Sequence, residues 1–149
     1  AYTGAFTVHA ALGQAASTTT VDLSAQYCSW AERNLVRNGF TPGPAHRVIC
    51  DDVFQWLSHT RERFDVIVLD PPSFSTSKKM ARSFDVQRDH ERLLATAREK
   101  LDSGGTLYFS TNRLDFELSD RVQGAQRLTN TLPDDFRREV HQAWRLSAT

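Results

Sequence analysis

Short apolar strands alternate with helical stretches along this chain, and that alternation limits the possible folds more than any other feature. Strand-like runs cover 18–23, 46–50, 64–70 and 106–111, and the third of them reads FDVIVLD. Strands that are apolar throughout are typical of sheets covered on both faces, and intervening helices favour parallel pairing through right-handed crossovers. The pattern predicts an α/β fold with a doubly wound, mostly parallel sheet.

Helices are predicted between these strands. Ser24 can cap the first, which begins at residue 25 and would end at Gly39. Two more cover 53–59 and 85–101, the second stopped by Gly104-Gly105. Further on, 115–124 could form a helix, and strands at 126–132 and 140–146 predict an antiparallel hairpin that closes the domain.

The length of 149 residues and an apolar content of 40% predict one domain, 1–149. The turn at residues 1–4 opens a helix with no strand before it, so we expect that a central first strand is missing at the N-terminus. Two cysteines without metal spacing predict reduced core thiols in a cytoplasmic protein. No run is long and apolar enough to span a bilayer, so no membrane partner is expected.

The charge balance bears on possible partners. Eighteen basic and eighteen acidic residues cancel, which argues against a domain that binds RNA without help. The five histidines lack the spacing of metal ligands, so no metal site is expected. One basic segment, with Lys78, Lys79, Arg82 and Arg88, could bind phosphates, although acidic neighbours leave a solvated loop as an equal alternative.

Acidic residues stand at the ends of three successive predicted strands: Asp22, then Asp51 with Asp52, then Asp70. In open α/β sheets, ligands bind beyond the carboxyl ends of the strands. Asp22 lies about eighteen residues after Gly4, a spacing at which an acid accepts hydrogen bonds from ribose hydroxyls. These acids predict an adenosyl-binding or dinucleotide-like site, while helix capping stays open for Asp22 or Asp52 alone.

The stretch Asp70-Pro71-Pro72-Ser73-Phe74 ends the most apolar strand. Two prolines fix φ and withhold N–H donors, so the carbonyl groups of this turn stay free to accept hydrogen bonds. Such a turn suits a planar ring that carries an amino group better than it suits a phosphate. A rigid turn without chemistry is the alternative.

At these residues the chain resembles class I S-adenosylmethionine (SAM) dependent methyltransferases, with Gly4, Asp22, Asp52 and the acid-Pro-Pro motif in matching places. Within that class, AYTGAFTVHAALGQA, TTTVDLSAQYCSWAERNLVRNGF, LDPPSFSTSKKM, SFDVQRDHERLL and SGGTLYFSTN resemble the C-terminal (K) half of the bifunctional bacterial large-subunit rRNA methyltransferases. The resemblance covers nearly the whole chain. It implies a Rossmann-like fold, SAM as cofactor and methylation of 23S rRNA at guanine N7.

The resemblance also implies roles for individual residues and partners. It implies an N-terminal methyltransferase half and an RNA-binding domain in the parent chain. It implies catalysis by Asp70, Pro71 and Pro72. Cofactor binding is implied for Tyr2, Thr3, Gly4, Ala5, Phe6, Asp22, Leu23, Asp52, Val53 and Asp70. Contact with the RNA is implied for Phe74, Lys78, Lys79, Arg82 and Asn112.

Three alternatives remain beside guanine N7. Methylation of cytosine C5 needs a cysteine nucleophile, which related enzymes place after the strand that here reads YFSTN, where Thr111 and Asn112 stand. Enzymes that methylate an exocyclic amine, such as guanine N2, usually have an aromatic residue directly after Pro-Pro, where this chain has Ser73. The third alternative is a truncated fragment that binds without catalysing. Guanine N7 offers a lone pair and no proton, so its methylation needs no general base.

Overall fold

The computed structural model describes residues 1–76, 83–129 and 140–148, and the chain divides into two compact units, 1–59 and 60–149. Lys78, Lys79 and Arg82 therefore lie outside the described residues. Within the described part of the chain, no helix has both the length and the apolar character needed to cross a bilayer.

The first unit is built from helices and two parallel strands. Its elements in chain order are α1 (Ala5–Leu12), β1 (Thr18–Asp22), α2 (Ala25–Arg37), β2 (His46–Cys50) and α3 (Val53–His59). The strands β1 and β2 pair in parallel from Thr18↔His46 to Asp22↔Cys50. Parallel neighbours need a crossover connection, which α2 supplies. Both strands therefore end at the same edge, where Asp22 and Cys50 lie side by side.

The core of the first unit lies where α1 and α2 meet the strands. Val8, Ala11 and Leu35 are buried, and the partly buried side chains of Phe40 and Val48 pack against them. The predicted cap of α2 is confirmed, because the Ser24 side chain accepts a hydrogen bond from the Tyr27 N–H group.

The second unit combines parallel and antiparallel strands. Its elements are β3 (Phe64–Leu69), β4 (Phe74–Ser75), β5 (Phe84–Asp85), α4 (Val86–Arg98), β6 (Leu101–Thr111), β7 (Gln126–Leu128) and β8 (Gln142–Ser147). The four longer strands form one sheet in the order β3-β6-β8-β7, in which β3 and β6 are parallel and β8 is antiparallel to both neighbours. The short β4 and β5 pair with each other. The predicted α/β class and the antiparallel closing hairpin are confirmed.

The helix α4 packs on β6 and buries one face of the sheet. Leu93, Leu94 and Ala97 on the helix are buried, as are Leu107 and Phe109 on the strand. The rings of Phe109, Phe116 and Trp144 lie with centroids 5.3 to 5.7 Å apart and extend this core towards β8. Alternation along β6 sends residues 107, 109 and 111 inward, as expected for a strand covered on one face.

Two of the expected boundaries in this unit are wrong. The helix ends at Arg98 and the following strand begins at Leu101, whereas the sequence predicted a helix through 101 and a strand from 106. Gly104-Gly105 lie inside β6, next to a shift in its register with β3. There, a side chain on Gly105 would lie about 3 Å from the Phe64 carbonyl oxygen, so glycine allows two backbones to approach.

The segment 115–124 is a series of turns and bends, and the helix predicted there is absent from the described residues. Hydrogen bonds to α4 stabilise this non-helical conformation of the segment. Gln87 exchanges two hydrogen bonds with the backbone of Glu117, and the Ser119 N–H group donates to His90 Nε2. These contacts use backbone groups that a helix would need for its own ladder.

The strand β3 is less buried than its sequence predicted. Val66 and Val68 are 57% and 40% exposed, while Leu69 is buried. Among the described strands of the second unit, β3 pairs with β6 alone, and the side chains of Val66 and Val68 lie on the face opposite α4. Apolar residues on both faces of a strand predict two buried faces only when other elements pack on both sides of the sheet.

Candidate active site

The turn before α1 contains the only glycine of the predicted cofactor loop. Gly4 has φ 72°, the left-handed region in which L-residues are strained, and its N–H group donates to the Ala1 carbonyl. A Cβ atom placed on Gly4 would lie 2.6 Å from Cβ of Ala31 on α2. Glycine is thus required here by backbone conformation and by close packing of the turn on α2, a reason that the sequence did not reveal.

Asp22 closes β1 and ties this turn to the strand. Its Oδ2 atom accepts hydrogen bonds from the backbone nitrogen atoms of Ala1 (2.6 Å) and Tyr2 (3.0 Å), and its Oδ1 atom accepts from the Ser24 N–H group (2.9 Å). A carboxylate has about four acceptor positions, so one of them stays open at Oδ1. Because Ser24 itself caps α2, helix capping does not account for Asp22.

The charge of Asp22 is stabilised by these donors. Burial raises the pKa of Asp22, but the hydrogen bonds from the Ala1 amino group and from the Ser24 and Tyr2 N–H groups outweigh burial and leave the pKa below its usual value. The side chain is therefore an ionised acceptor at neutral pH, which is the form that would bind ribose hydroxyls.

Asp52 caps α3. Its Oδ1 atom accepts from the N–H groups of Phe54 (2.9 Å) and Gln55 (3.2 Å), and its own N–H group donates to Asp51 Oδ1. This is the capping role that the sequence left open, and it fixes the position of the carboxylate at the end of β2. The role of Asp52 at adenine stays a proposal.

The remaining residues predicted to bind the cofactor in the first unit lie in or next to the turn before α1 and at the ends of β1 and β2. The ring of Tyr2 is 60% exposed and packs edge-on against Tyr27, with ring centroids 5.0 Å apart. The Thr3 carbonyl accepts a hydrogen bond from Asn34 Nδ2, and the ring of Phe6 is exposed. Ala5 begins α1, Leu23 follows β1, and Val53 begins α3. The structure thus joins the ionised carboxylate of Asp22 to the turn that bears the exposed ring of Tyr2.

Asp70 stands at the end of β3, beside the end of β6. Leu69 is paired with Phe109, so the next residues on the two parallel strands, Asp70 and Ser110, are neighbours. The Ser110 hydroxyl donates a 2.7 Å hydrogen bond to Asp70 Oδ1. Asp70 is exposed, and its second oxygen has no donor among the described residues.

The two prolines lead into a turn that is tied down at Ser73. The Ser73 hydroxyl lies 2.8 Å from Asn112 Oδ1 and donates to it, and the Ser73 carbonyl accepts from the Val86 N–H group. Among the described residues, none donates a hydrogen bond to the carbonyl of Pro71 or Pro72. Two carbonyl groups and a carboxylate oxygen in one short segment thus receive no hydrogen bond from the residues that the structure describes, which is the arrangement that the sequence predicted for this turn.

Phe74 follows Ser73 and leaves its ring 59% exposed, although its backbone pairs with Asp85 in β4–β5. An exposed aromatic ring next to free acceptors is suited to stacking on a nucleobase. Asn112, predicted to contact RNA, accepts the hydrogen bond from Ser73 and thereby supports the turn. Its contact with RNA stays a prediction.

Arg88 is the one member of the basic segment that lies in the described residues. Its guanidinium donates to both carboxylate oxygens of the buried Asp89, at 3.1 and 2.7 Å, and to the Ser83 carbonyl. This bidentate pairing fixes Arg88 to its own helix. Phosphate binding by Lys78, Lys79 and Arg82 lies outside the described residues.

Two residues near this site were missed by the sequence. Ser110 has the hydrogen bond to Asp70, and Arg113 pairs with Asp85 at 3.3 Å and with Asp115 at 3.0 Å. Ser110 could have been found from the sequence, because it is a polar residue at the end of the next predicted strand, and neighbouring parallel strands end at the same edge of a sheet. The contact between Arg113 and Asp85 joins two segments that no local pattern relates.

No group of three or more histidine, cysteine, aspartate or glutamate side chains suited to a metal ion occurs in the described ranges. A cavity of about 330 Å³ in the second unit is open to solvent and lined by Leu114, Asp115, Phe116, Glu117, Arg127 and Gln142. The Gln142 side-chain amide donates to the carbonyl groups of Leu114 and Phe116 and thereby stabilises the loop that lines the cavity.

Comparison with known proteins adds to this geometry. The family model described as "Methyltransferase small domain" matches residues 3–136. The chain is 46% identical to "Ribosomal RNA large subunit methyltransferase K/L" of Acinetobacter baylyi, over 97% of this chain and 21% of that protein. It is 47% identical to the protein of the same name from Magnetococcus marinus, over 98% of this chain and 21% of that protein. The chain thus spans about a fifth of the length of these curated relatives, and the predicted resemblance is confirmed.

Solved structures agree in fold. A candidate methyltransferase in complex with SAH superposes with a TM-score of 0.84 at 27% identity, over 98% of this chain and 43% of that one. A candidate SAM-dependent methyltransferase from Streptococcus mutans superposes with a TM-score of 0.79 at 25% identity, over 97% of this chain and 42% of that one. The predicted Rossmann-like methyltransferase fold class is confirmed by these likenesses.

Proposed function

The chain belongs to the methyltransferase small domain family, and on that basis we propose that it is a SAM-dependent methyltransferase domain that methylates 23S rRNA at guanine N7. The relatives it matches are named rRNA large subunit methyltransferases, and a structural neighbour is complexed with SAH. The observation that carries the proposal is the acid-Pro-Pro turn. There Asp70 is held by Ser110 and is followed by two carbonyl groups to which no described residue donates, and by the exposed ring of Phe74.

The residues of the first unit fit an adenosyl cofactor. Asp22 is ionised and keeps an open acceptor position at Oδ1 for a ribose hydroxyl, and the exposed ring of Tyr2 lies beside it. Asp52 is fixed at the end of the neighbouring strand, where its second oxygen would accept from adenine. When bound, SAM supplies a methyl group on a positively charged sulfur. The remaining cofactor contacts are assigned to the loop residues Thr3, Gly4, Ala5, Phe6, Leu23 and Val53.

The second unit fits a guanine base. The free oxygen of Asp70 and the carbonyl groups of Pro71 and Pro72 can accept from the N1-H and amino groups of guanine. Phe74 would stack on the ring, as aromatic side chains do on unstacked RNA bases. The lone pair of N7 then lies on the opposite edge of the base, and alignment for in-line displacement supplies most of the catalysis. No side chain needs to remove a proton.

Lys78, Lys79 and Arg82 are proposed to bind RNA phosphates. Asn112, which also holds Ser73 of the turn, is proposed to contact the RNA. The balanced charge of the chain favours help from elsewhere in binding RNA. Because the matched relatives are about five times longer, we propose that the N-terminal methyltransferase half and RNA-binding domain of a parent chain provide that help. The 149 residues would then be its SAM-dependent methyltransferase domain, which works in the cytoplasm.

The test is methyl transfer from labelled SAM to unmodified 23S rRNA, followed by mass spectrometry of the RNA digests. The label is expected as 7-methylguanine, and Asp70→Asn is expected to lower the rate strongly. Asp65→Asn is a matched control, since Asp65 is an exposed acid on the same strand. Label at guanine N2 or at cytosine C5 would refute the N7 assignment. SAH binding without transfer by the chain, when a longer parent protein transfers, would favour a fragment that binds without catalysing.

A further inference from the structure

The two cysteines of the chain lie together at the edge where β1 and β2 end. Cys28 is buried in the first turns of α2, and its Sγ atom donates to the carbonyl groups of Asp22 (3.4 Å) and Ile49 (3.7 Å). Cys50 is exposed at the end of β2, and its Sγ atom donates to the Leu23 carbonyl (3.6 Å). The three acceptors belong to adjoining ends of two paired strands, so both sulfur atoms share one small region.

Cys50 also affects the ionisation of Cys28. Burial, and next the proximity of Cys50, raise the pKa of Cys28 to about 11. One thiol is accessible to a reagent from solvent and the other is shielded, which is the arrangement of an attacking and a resolving cysteine.

We propose that Cys28 and Cys50 form an oxidisable dithiol site, which a low-molecular-weight disulfide converts into an intramolecular Cys28–Cys50 disulfide. In the first step the Cys50 thiolate attacks one sulfur of the oxidant, and the other sulfur leaves as a thiolate that takes up the Cys50 proton. In the second step Cys28 attacks Cys50 Sγ, and the second half of the oxidant leaves with the Cys28 proton. The protein loses two electrons and two protons, and the oxidant is reduced to two thiols.

The first step prepares the second. Reaction at Cys50 replaces its ionisable thiol by a neutral mixed disulfide, so the charge that disfavours the Cys28 thiolate disappears. The resolving thiol is then a neighbour of the sulfur that it attacks, which makes the second step intramolecular. An exposed thiol alone would stop at the mixed disulfide.

Oxidation would act on Asp22. The Cys28 thiol donates to the Asp22 carbonyl, and a disulfide has no S–H group to donate. The covalent bond would also connect α2, which follows Asp22 in the chain, to Cys50, which pairs with Asp22 across the two strands. This consequence rests on the proposed function: oxidation is expected to weaken SAH binding by about five- to tenfold, the scale of one lost hydrogen bond.

The test treats the full chain with oxidised glutathione and measures its intact mass without reductant. Because the chain has two cysteines, the expected result is a monomer lighter by two hydrogen atoms, in which N-ethylmaleimide labels neither residue. Cys28→Ser is expected to stop at a glutathione adduct on Cys50, and Cys50→Ser to stay unmodified. A stable adduct on the unaltered chain, a Cys50-linked dimer, or two thiols that are still free for labelling would each overturn the proposal.

The functional consequence has a separate readout. Calorimetric titration with SAH is carried out on the reduced chain, on the oxidised chain, and on the oxidised chain after treatment with dithiothreitol. Weaker binding that dithiothreitol restores supports the link to Asp22, and equal affinities before and after oxidation overturn it. If the reduced chain does not bind SAH, the proposed function fails, while the mass measurement still decides whether the dithiol site exists.

Discussion

Ser110 Oγ donates a 2.7 Å hydrogen bond to Asp70 Oδ1 across two parallel strands that are in register. The bond leaves the second carboxylate oxygen available and fixes its direction. Ser110 therefore positions the acid of the acid-Pro-Pro turn, and it does so from a strand that begins thirty-odd residues later in the chain.

Replacing Ser110 by alanine is expected to lower the rate of methyl transfer about tenfold, because a misdirected carboxylate aligns the base less well. The loss should appear in kcat more than in KM for SAM. Thr96→Ala is the control, since the Thr96 hydroxyl donates to the Arg92 carbonyl within α4, at an exposed position. An unchanged rate in Ser110→Ala, beside a strongly reduced rate in Asp70→Asn, would show that Asp70 needs no positioning by this hydroxyl.

Replacing Asp22 by asparagine is expected to weaken SAH binding by about ten- to a hundredfold, because a charge-assisted hydrogen bond to ribose is lost. Calorimetric titration measures the effect. Glu32→Gln removes an exposed carboxylate from α2 and should leave the affinity unchanged. Equal affinities in the two variants would place the ribose elsewhere.

Replacing Gly4 by alanine is expected to lower the free energy of unfolding by about 1–3 kcal/mol, since the new Cβ meets Ala31 at 2.6 Å and the φ of 72° is strained for alanine. Urea denaturation measures the change. Gly43→Ala is the matched control, because no atom lies within 4 Å of its added Cβ. A Gly4→Ala chain as stable as Gly43→Ala would contradict the close packing of the turn on α2.

The pKa of Cys28 predicts a loss of stability at high pH. Because the folded-state pKa is raised from 9.0 to about 11, the folded chain holds this proton more tightly than the unfolded chain. The stabilisation is fully present below pH 9 and is lost as the pH rises through about 11. The free energies of unfolding of the unaltered chain and of Cys28→Ala, measured under reducing conditions, should converge between these two values. A constant difference across that window would contradict the shift.

Replacing Phe74 by alanine is expected to lower the rate of methyl transfer to RNA, because base stacking worth roughly 1–3 kcal/mol is lost. The melting temperature should change little, because the ring is exposed. Leu114→Ala is the control, as its side chain is similarly exposed at 58% and lies outside the turn. If both variants transfer methyl groups at the original rate, Phe74 does not contact the base.

Much of the fold could be predicted from local pattern. The bounds of β2 and α3 and the Ser24 cap follow from side chains within a few residues of one another, and the structure agrees with each. The start of β6 and the turns at 115–124 could not be predicted in this way. They depend on contacts such as Gln87 with Glu117, which join segments distant in sequence.

The candidate site shows the same division. Strand ends and the rigidity of Pro71-Pro72 are visible in the sequence, so Asp22 and Asp70 could be singled out. The donors that direct them, at Tyr2 and Ser110, depend on which strands and turns become neighbours. The sequence singled out Gly4 for its backbone freedom. Its close approach to Ala31 could not be predicted, because the sequence does not show which residue packs against the turn.

The parallel pairing of β3 with β6 has an evolutionary consequence. Backbone register brings the acid and the serine together whatever the length of the connection between the two strands. Insertions or deletions after the acid-Pro-Pro turn therefore leave the aim of the carboxylate intact. Substitutions in the segment proposed to contact the RNA would then change which nucleotide is methylated, while the residues that position the carboxylate stay the same.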